Sequence, residues 1–220
     1  MKSIGADATH LRCVVIGAHL QRDDIEPIAE VIPAGDLFLS GLPVADDQPL
    51  GDRELLVRVA KVRAALLERA TFIAIRYGFT VSAESEAKAK CATHLERWRA
   101  LLEQHRNDVE MTLKVVAPER VARPDRRDFT SGADYLKALH AATNAVDVDP
   151  EFRVAAEEAM GKGRWLHRDQ ASLELAALIA RDAVERVRAG GEQLKRRFPR
   201  VPFLLSGPWP LEVFADDHHE

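Results

Sequence analysis

Apolar positions in the first part of the chain form short strand-like runs followed by a helical stripe. Residues 11–18, LRCVVIGA, are a β-branched run that predicts a buried strand, and DLFLSG, around residues 37–39, predicts a second strand. The segment between them contains Pro27 and Pro33 and is predicted to be a loop. After Asp52, a good N-cap type, apolar residues recur at helical spacing and predict an amphipathic helix. They are Leu55, Val59, Val62 and Leu66.

Three more elements follow in the same half of the chain. Residues 71–81, TFIAIRYGFTV, predict a strand that is broken at Gly78, and residues 85–106 predict a second amphipathic helix. Its apolar face contains Ala87, Cys91, Leu95, Trp98 and Leu102. Residues 109–116, VEMTLKVV, alternate between apolar and polar, as a half-buried strand does.

The order of these elements, β-β-α-β-α-β, predicts an α+β fold. It suits a ferredoxin-like sandwich in which helices cover one face of a largely antiparallel sheet, and residues 109–116 are expected to belong to that sheet. We therefore predict an N-terminal ferredoxin-like domain over residues 1–122. Residues 117–129, APERVARPDRRDF, are rich in proline and charge and are predicted to contain the linker.

The remaining pattern predicts a C-terminal α+β domain over residues 129–220. Ser131 can cap one helix, and another is predicted over residues 151–164. Residues 172–180, SLELAALIA, fit a strand or a helix, and we favour the strand. A helix is predicted from Asp182 and a final strand at residues 203–206, so this domain contains helices followed by β-α-β.

Composition and charge narrow the class of protein. The chain has 220 residues, of which 46% are hydrophobic and 30% charged, and its formal net charge is −4. The basic residues do not cluster as they do in a general nucleic-acid binder. No apolar run approaches the ~20 residues of a membrane helix. MKSIGADATH lacks a signal-peptide apolar region, so we expect a cytoplasmic protein.

The candidate chemistry is sparse. Cys13 and Cys91 lie in apolar segments and are interpreted as reduced core thiols. Cys91 and His94 are one helical turn apart and could share a metal ion, but no second pair completes a site. The two terminal histidines, His218 and His219, are interpreted as part of a frayed terminus. We predict no catalytic residue, no cofactor and no metal.

One segment near the end of the sequence restricts its own backbone. FLLSGPWPLEVF places Trp209 between Pro208 and Pro210, and a proline fixes its own φ and pushes the residue before it toward extended geometry. The indole is then either a structural plug at the end of the sheet or a rigid anchor for a partner. We predict that Pro208, Trp209, Pro210 and Phe214 bind a partner.

This segment resembles the C-terminal signature of the gas vesicle GvpL/GvpF family, Gly-Pro-Trp-Pro followed by Pro-Tyr-Ser-Phe. Residues 207–210 and Phe214 match, whereas residues 211–213, Leu-Glu-Val, depart. Three further blocks are similar to the family in the same order, and the resemblance spans residues 51–214. The matching residues in these blocks are Arg76, Gly78, Val81, Lys114, Val115, Gly132, Tyr135 and Leu136.

The resemblance implies a non-enzymatic accessory or minor structural protein in gas vesicle assembly. Its implied partners are the small shell-forming subunit and other gas vesicle assembly proteins, and its implied location is with the gas vesicles. The alternative is a small-molecule enzyme or sensor. Its site would form between the two domains from scattered residues such as Arg76, Lys114 and His140.

Overall fold

The computed structural model describes residues 11–22, 25–116, 124–143, 148–169 and 172–215. The chain divides into two compact units, one of Met1–Asn107 with Pro210–Glu220 and the other of Asp108–Trp209. In the described residues, the first unit contains β1 (Leu11–His19), β2 (Glu30–Ala34), β3 (Leu37–Ala45), α1 (Arg53–Arg69), β4 (Ile73–Ala74), β5 (Thr80–Val81), α2 (Glu84–Cys91) and α3 (Leu95–Gln104).

The first unit is built on an antiparallel sheet with the strand order β2-β3-β1-β4, and β5 also pairs with β1. Cys13 and Val15 of β1 pack in one apolar cluster with α2, whereas Ile16 packs in another cluster with Leu66 of α1. Because neighbouring strand residues point to opposite faces, α1 and α2 cover different faces of this sheet. The prediction that helices cover only one face was therefore wrong.

The start of α1 and the break at Gly78 were predicted correctly in this unit, whereas the single helix over residues 85–106 was not. Asp52 caps α1, since its carboxylate accepts a 3.0 Å hydrogen bond from the Glu54 amide. The break between β4 and β5 contains Gly78, whose φ of +98° is a value that favours glycine. Residues 85–106 form two helices rather than one, because the chain turns between Cys91 and Leu95.

Strand β2 was missed, since it contains Pro33 and was predicted to be a loop. Pro33 pairs with Phe38 of β3, and β2 has no other neighbour among the described strands. A proline without an N–H is tolerated on such an edge strand, because one side of the strand makes no ladder hydrogen bonds. The proline was therefore the signal of an edge rather than of a loop.

The second unit contains, in its described residues, β6 (Asp108–Val116), α4 (Gly132–Thr143), α5 (Pro150–Met160), β7 (Arg164–Asp169), β8 (Ser172–Ala180), α6 (Val184–Arg197) and β9 (Phe203–Trp209). Its sheet is antiparallel with the order β7-β8-β6-β9. Phe152 of α5 lies 5.3 Å from Phe198 and 5.7 Å from Phe203, measured between ring centroids. These aromatic contacts join the helices to the sheet.

The position of β6 corrects the predicted sheet membership. Residues 109–116 form a strand, as predicted, but the strand pairs with β8 and β9 in the second sheet and not with the first sheet. The apolar residues Val109, Met111, Leu113 and Val115 of β6 are buried on one face, and Glu110 and Thr112 are buried on the other. At these positions the strand is therefore covered on both faces. Most of the predicted linker, residues 117–123, lies outside the described residues, and the domain bounds 1–122 and 129–220 stay a prediction.

Of the remaining elements of the second unit, α4, β8 and α6 follow the sequence prediction and β7 does not. Ser131 caps α4 by accepting a 3.0 Å hydrogen bond from the Asp134 amide. Residues 172–180 form the strand β8, as favoured over the helix in the sequence analysis. Helix α6 begins after a short 3-10 turn over Arg181–Ala183. Strand β7 was missed, because RWLHRD combines charged and apolar residues without a clear period.

Candidate partner-binding segment

Trp209 is the last residue of β9 and is 46% exposed. Its Nε1 donates a 3.4 Å hydrogen bond to Ser206 Oγ, and this oxygen lies 2.8 Å from Thr112 Oγ1 on β6. Trp209 itself pairs with Glu110 across the strands. The indole is thus held at one end by a hydroxyl pair, while almost half of its surface faces solvent.

The backbone before Trp209 requires a glycine. Gly207 has a φ of +118°, and a Cβ added there would lie 2.6 Å from Met111 Sδ and 2.9 Å from the Glu110 carbonyl oxygen. Arg188 of α6 donates a hydrogen bond to the Gly207 carbonyl at 3.2 Å. The peptide bond from Gly207 to Pro208 is cis, and Pro208 is half-buried. Gly207 and Pro208 therefore fix the backbone at the end of β9, directly before Trp209.

The residues after Trp209 belong to the first unit and are fixed by backbone hydrogen bonds. The Leu211 amide donates to the Phe72 carbonyl at 2.9 Å, and the Ala74 amide donates to the Leu211 carbonyl at 3.2 Å. Leu211 is fully buried, and Pro210 and Val213 are buried too. A proline in place of Leu211, as in the family signature, could not donate the first of these bonds.

The four predicted partner-binding residues therefore differ in access. Pro208 and Trp209 end the sheet of the second unit, with Pro208 half-buried and Trp209 exposed. Pro210 and Phe214 belong to the first unit, with Pro210 buried and Phe214 half-buried. Their role in binding stays a prediction, and Trp209 offers the largest accessible apolar surface among them.

The sequence interpretation missed one exposed side chain on the same strand. Leu204 is 64% exposed and lies opposite Lys114 on β6. It was predicted only as part of the final strand, with no role of its own. The absence of any charged residue in FLLSGPW was the available signal that this strand presents apolar groups, together with its position near the end of the sheet.

The two thiols lie in the core of the first unit. Burial, with a smaller effect of the Glu30 carboxylate, raises the pKa of Cys13 to about 12. Burial also raises the pKa of Cys91, partly opposed by the charge of Lys90. Both cysteines are free and pack in one apolar cluster, so both thiols are protonated at neutral pH and serve as packing groups.

His94, which was considered with Cys91 as half of a metal site, contacts an aromatic ring. His94 stacks on Trp98 with ring centroids 5.1 Å apart. In the part of the chain that the structure describes, no group of three or more His, Cys, Asp or Glu side chains could hold a metal ion. His218 and His219 lie outside the described residues.

The residues of the alternative enzyme or sensor site are spread along the chain. Arg76 belongs to the first unit, whereas Lys114 lies on β6 and His140 on α4 of the second. A cavity of about 390 Å³ in the second unit contains none of the three. It is lined instead by Ala155, Glu158, Ala159, Arg186, Ala189, Gly190, Gln193, Leu194 and Arg197.

Comparison with known families decides the identity of the chain. The family model described as gas vesicle synthesis protein GvpL/GvpF matches residues 23–215, which include the second sheet, the first sheet apart from β1, and the Gly-Pro-Trp-Pro segment. The chain belongs to the GvpL/GvpF family. This membership indicates a role in gas vesicle assembly, as the sequence resemblance implied. No curated protein sequence matches the chain.

Solved structures share the fold of this GvpL/GvpF protein. The crystal structure of gas vesicle protein GvpF from Microcystis aeruginosa superposes with a TM-score of 0.65, at 11% identity over 93% of this chain and 99% of that chain. GvpF from Anabaena sp. PCC7120 gives a TM-score of 0.61, at 11% identity over 96% and 98%. Among the described residues, no helix is long and apolar enough to cross a membrane.

Proposed function

We propose that this GvpL/GvpF protein is a non-enzymatic accessory or minor structural protein of gas vesicles that binds the small shell-forming subunit or another assembly protein. Family membership supports the gas vesicle context. The observation that carries the binding role is the half-exposed indole of Trp209, whose Nε1 is already bonded to Ser206. The proposed location is the cytoplasm, at the gas vesicles.

A fixed indole favours binding because little conformational freedom remains to be lost. Trp209 follows Pro208 and precedes Pro210, so its backbone is restricted on both sides. Immobilising a flexible side chain in an interface costs roughly 0.5–1.5 kcal/mol, and an indole that is already oriented avoids most of this cost. Tryptophan is enriched among the residues that contribute most to protein interfaces for the same reason.

The neighbouring residues have supporting roles in this proposal. Pro210 is buried and sets the direction in which the chain leaves Trp209. Phe214 is half-buried and is proposed to contribute a smaller apolar contact beside Glu212, whose carboxylate lies 3.5 Å from Arg63. An apolar centre beside solvated charges is the usual composition of a protein interface.

The proposal is tested by measuring binding of the full chain to the purified shell-forming subunit by calorimetry, and by deleting the gene in the host. We expect saturable binding and a loss of floating vesicles that the unmodified gene restores. If the chain binds no gas vesicle protein and the deletion strain makes normal vesicles, the proposal is wrong. Turnover of a small molecule by the pure chain would instead favour the enzyme alternative.

A further inference from the structure

Helices α5 and α6 of the second unit lie side by side and run in opposite directions. The Glu151 carboxylate, in the first turn of α5, lies 2.7 Å from the Arg197 guanidinium at the end of α6. Towards the other end of the pair, a Cβ added to Gly190 would lie 3.3 Å from the Ala159 Cβ. The cavity of about 390 Å³ lies between these two helices, since all of its lining residues belong to them.

The two adjacent glycines of α6 have different surroundings. A Cβ added to Gly191 would lie 2.6 Å from the Leu205 side chain, so close packing on β9 requires a glycine there. Gly190 instead lines the cavity together with Ala189. Because neither residue has a long side chain, the surface of α6 has a notch at this point, between Arg186 and Gln193.

Two opposite charges lie unpaired at one end of the cavity. Arg186 is one helical turn before Gly190 on α6, and Glu158 precedes Ala159 on α5, so the two side chains line the same end from opposite walls. Both are exposed, and neither forms a hydrogen bond or an ion pair within the described chain. The charges at the other end, Glu151 and Arg197, already pair with each other.

An apolar side chain projects beside the cavity. Val154 is 57% exposed and lies one turn before Glu158 on α5, so the two side chains share a face of the helix. Glu151 lies on the same face, three residues before Val154. The outer face of α5 therefore presents an apolar projection between two acidic residues, whereas the outer face of α6 presents a notch between basic and amide side chains.

The two faces are complementary in shape and in charge, and both belong to the same chain. An interface between two identical copies related by a twofold axis requires such a surface, because each residue meets a different residue of the other copy. A partner that matched only the notch and Arg186 would leave Val154 and Glu158 uncovered. A second copy satisfies both halves of the surface at once.

We propose that the cavity between α5 and α6 is an interface at which two copies of this chain associate. Val154 of each copy enters the cavity of the other, and Glu158 of each copy pairs with Arg186 of the other. Burial of Val154 provides an apolar centre, and the two ion pairs at its side select the orientation of the copies. This inference goes beyond the proposed function, because it concerns self-association and involves no other protein.

The test measures the association of the full chain by sedimentation velocity over a range of concentrations. Glu158→Arg and Arg186→Glu each place like charges opposite one another at both contacts, so each variant is expected to associate with itself about tenfold more weakly or less. An equimolar mixture of the two variants places an arginine opposite a glutamate at both contacts. We expect the mixture to associate within about threefold of the unmodified chain.

A second pair of variants tests the apolar contact. Val154→Arg introduces a positive charge opposite Arg186 and the notch, and it is expected to weaken association about tenfold or more. Leu136→Arg is the matched control, since Leu136 is 62% exposed in the same unit but lies on α4. We expect its association to stay within about twofold of the unmodified chain, and far-ultraviolet circular dichroism confirms that both variants are folded.

Three results would each overturn the inference. They are an unmodified chain that stays monomeric up to about 0.5 mM, a mixture of the two charge variants that associates no better than either alone, and equal weakening by Val154→Arg and Leu136→Arg. The proposed function stands in all three cases, because the experiment contains no shell-forming subunit. Recovery of association in the mixture supports the pairing of Glu158 with Arg186 between copies.

Discussion

The indole Nε1 of Trp209 donates to Ser206 Oγ, and the same oxygen lies 2.8 Å from Thr112 Oγ1 on the neighbouring strand. A hydroxyl has one hydrogen and two lone pairs, so Ser206 can accept from the indole and still donate to Thr112. The exposed aromatic group is thereby connected to the buried centre of the second sheet through one small side chain.

Ser206→Ala is expected to release the indole while leaving the fold intact. The variant removes the acceptor of Trp209 and the partner of Thr112, so it should lower the free energy of unfolding by ~1–2 kcal/mol. Chemical denaturation measures this loss, and the indole N–H resonance of Trp209 should shift toward a solvent-exposed value. An unchanged resonance would mean that Ser206 does not orient the indole.

Gly207→Ala is expected to distort the end of β9. The new Cβ would meet Met111 and the Glu110 carbonyl, and a positive φ is unfavourable for alanine, so we expect a loss of ~1–3 kcal/mol in the free energy of unfolding. Gly132→Ala is the matched control, since no atom lies within 4 Å of a Cβ added there. Equal stability of the two variants would contradict the described backbone.

The buried imidazole of His19 predicts a pH dependence of stability. Burial lowers its pKa to about 4, against an ordinary value of 6.5, although a hydrogen bond with the Gln21 carbonyl partly opposes this. Above pH 6.5 the imidazole of His19 is neutral in both the folded and the unfolded chain. As the pH falls from 6.5 to about 4, the unfolded chain binds a proton that the folded chain does not, and stability is lost.

The loss attributable to His19 should reach about 3 kcal/mol near pH 4. Denaturation of the unmodified chain and of His19→Phe at several pH values measures it. The variant should lose less stability between pH 6.5 and 4, whatever its stability at neutral pH. Parallel curves for the two proteins would show that His19 does not titrate in this way.

Two fragments test the predicted domain bounds. Residues 108–209 contain all four strands of the second sheet, whereas residues 129–220 lack β6, which lies between β8 and β9. We expect the first fragment to unfold cooperatively and the second to show no cooperative transition, because removal of a central strand leaves its neighbours unpaired. Cooperative unfolding of the fragment 129–220 would support the domain bound predicted from the sequence.

The sequence predicted the elements of this protein better than their arrangement. Leu55 and Leu66 marked the buried face of α1, and Asp52 marked its start, because these signals are local. The pairing partners of β6 are not local, and its alternation of apolar residues is compatible with either sheet. Burial of Glu110 and Thr112 also depends on what covers the second face, which periodicity does not contain.

The candidate site shows the same division between local and distant signals. The restricted backbone of Trp209 was predictable from the prolines on either side. The hydroxyl pair that orients it was not, since Thr112 is separated from Ser206 by 94 residues. The exposure of Leu204 was not predicted, because its neighbours Phe203 and Leu205 are also apolar, and only the edge position of β9 explains it.

The central claim is that Trp209 binds a partner rather than only filling the end of the sheet. Trp209→Ala separates the two roles when affinity for the shell-forming subunit and free energy of unfolding are measured on the same preparation, with Leu136→Ala as the exposed apolar control. We expect binding to weaken by ~2 kcal/mol or more, and stability to change far less, because the indole is only half-buried. Unchanged affinity with a loss of ~3–5 kcal/mol in the free energy of unfolding would contradict the claim and make Trp209 a packing residue.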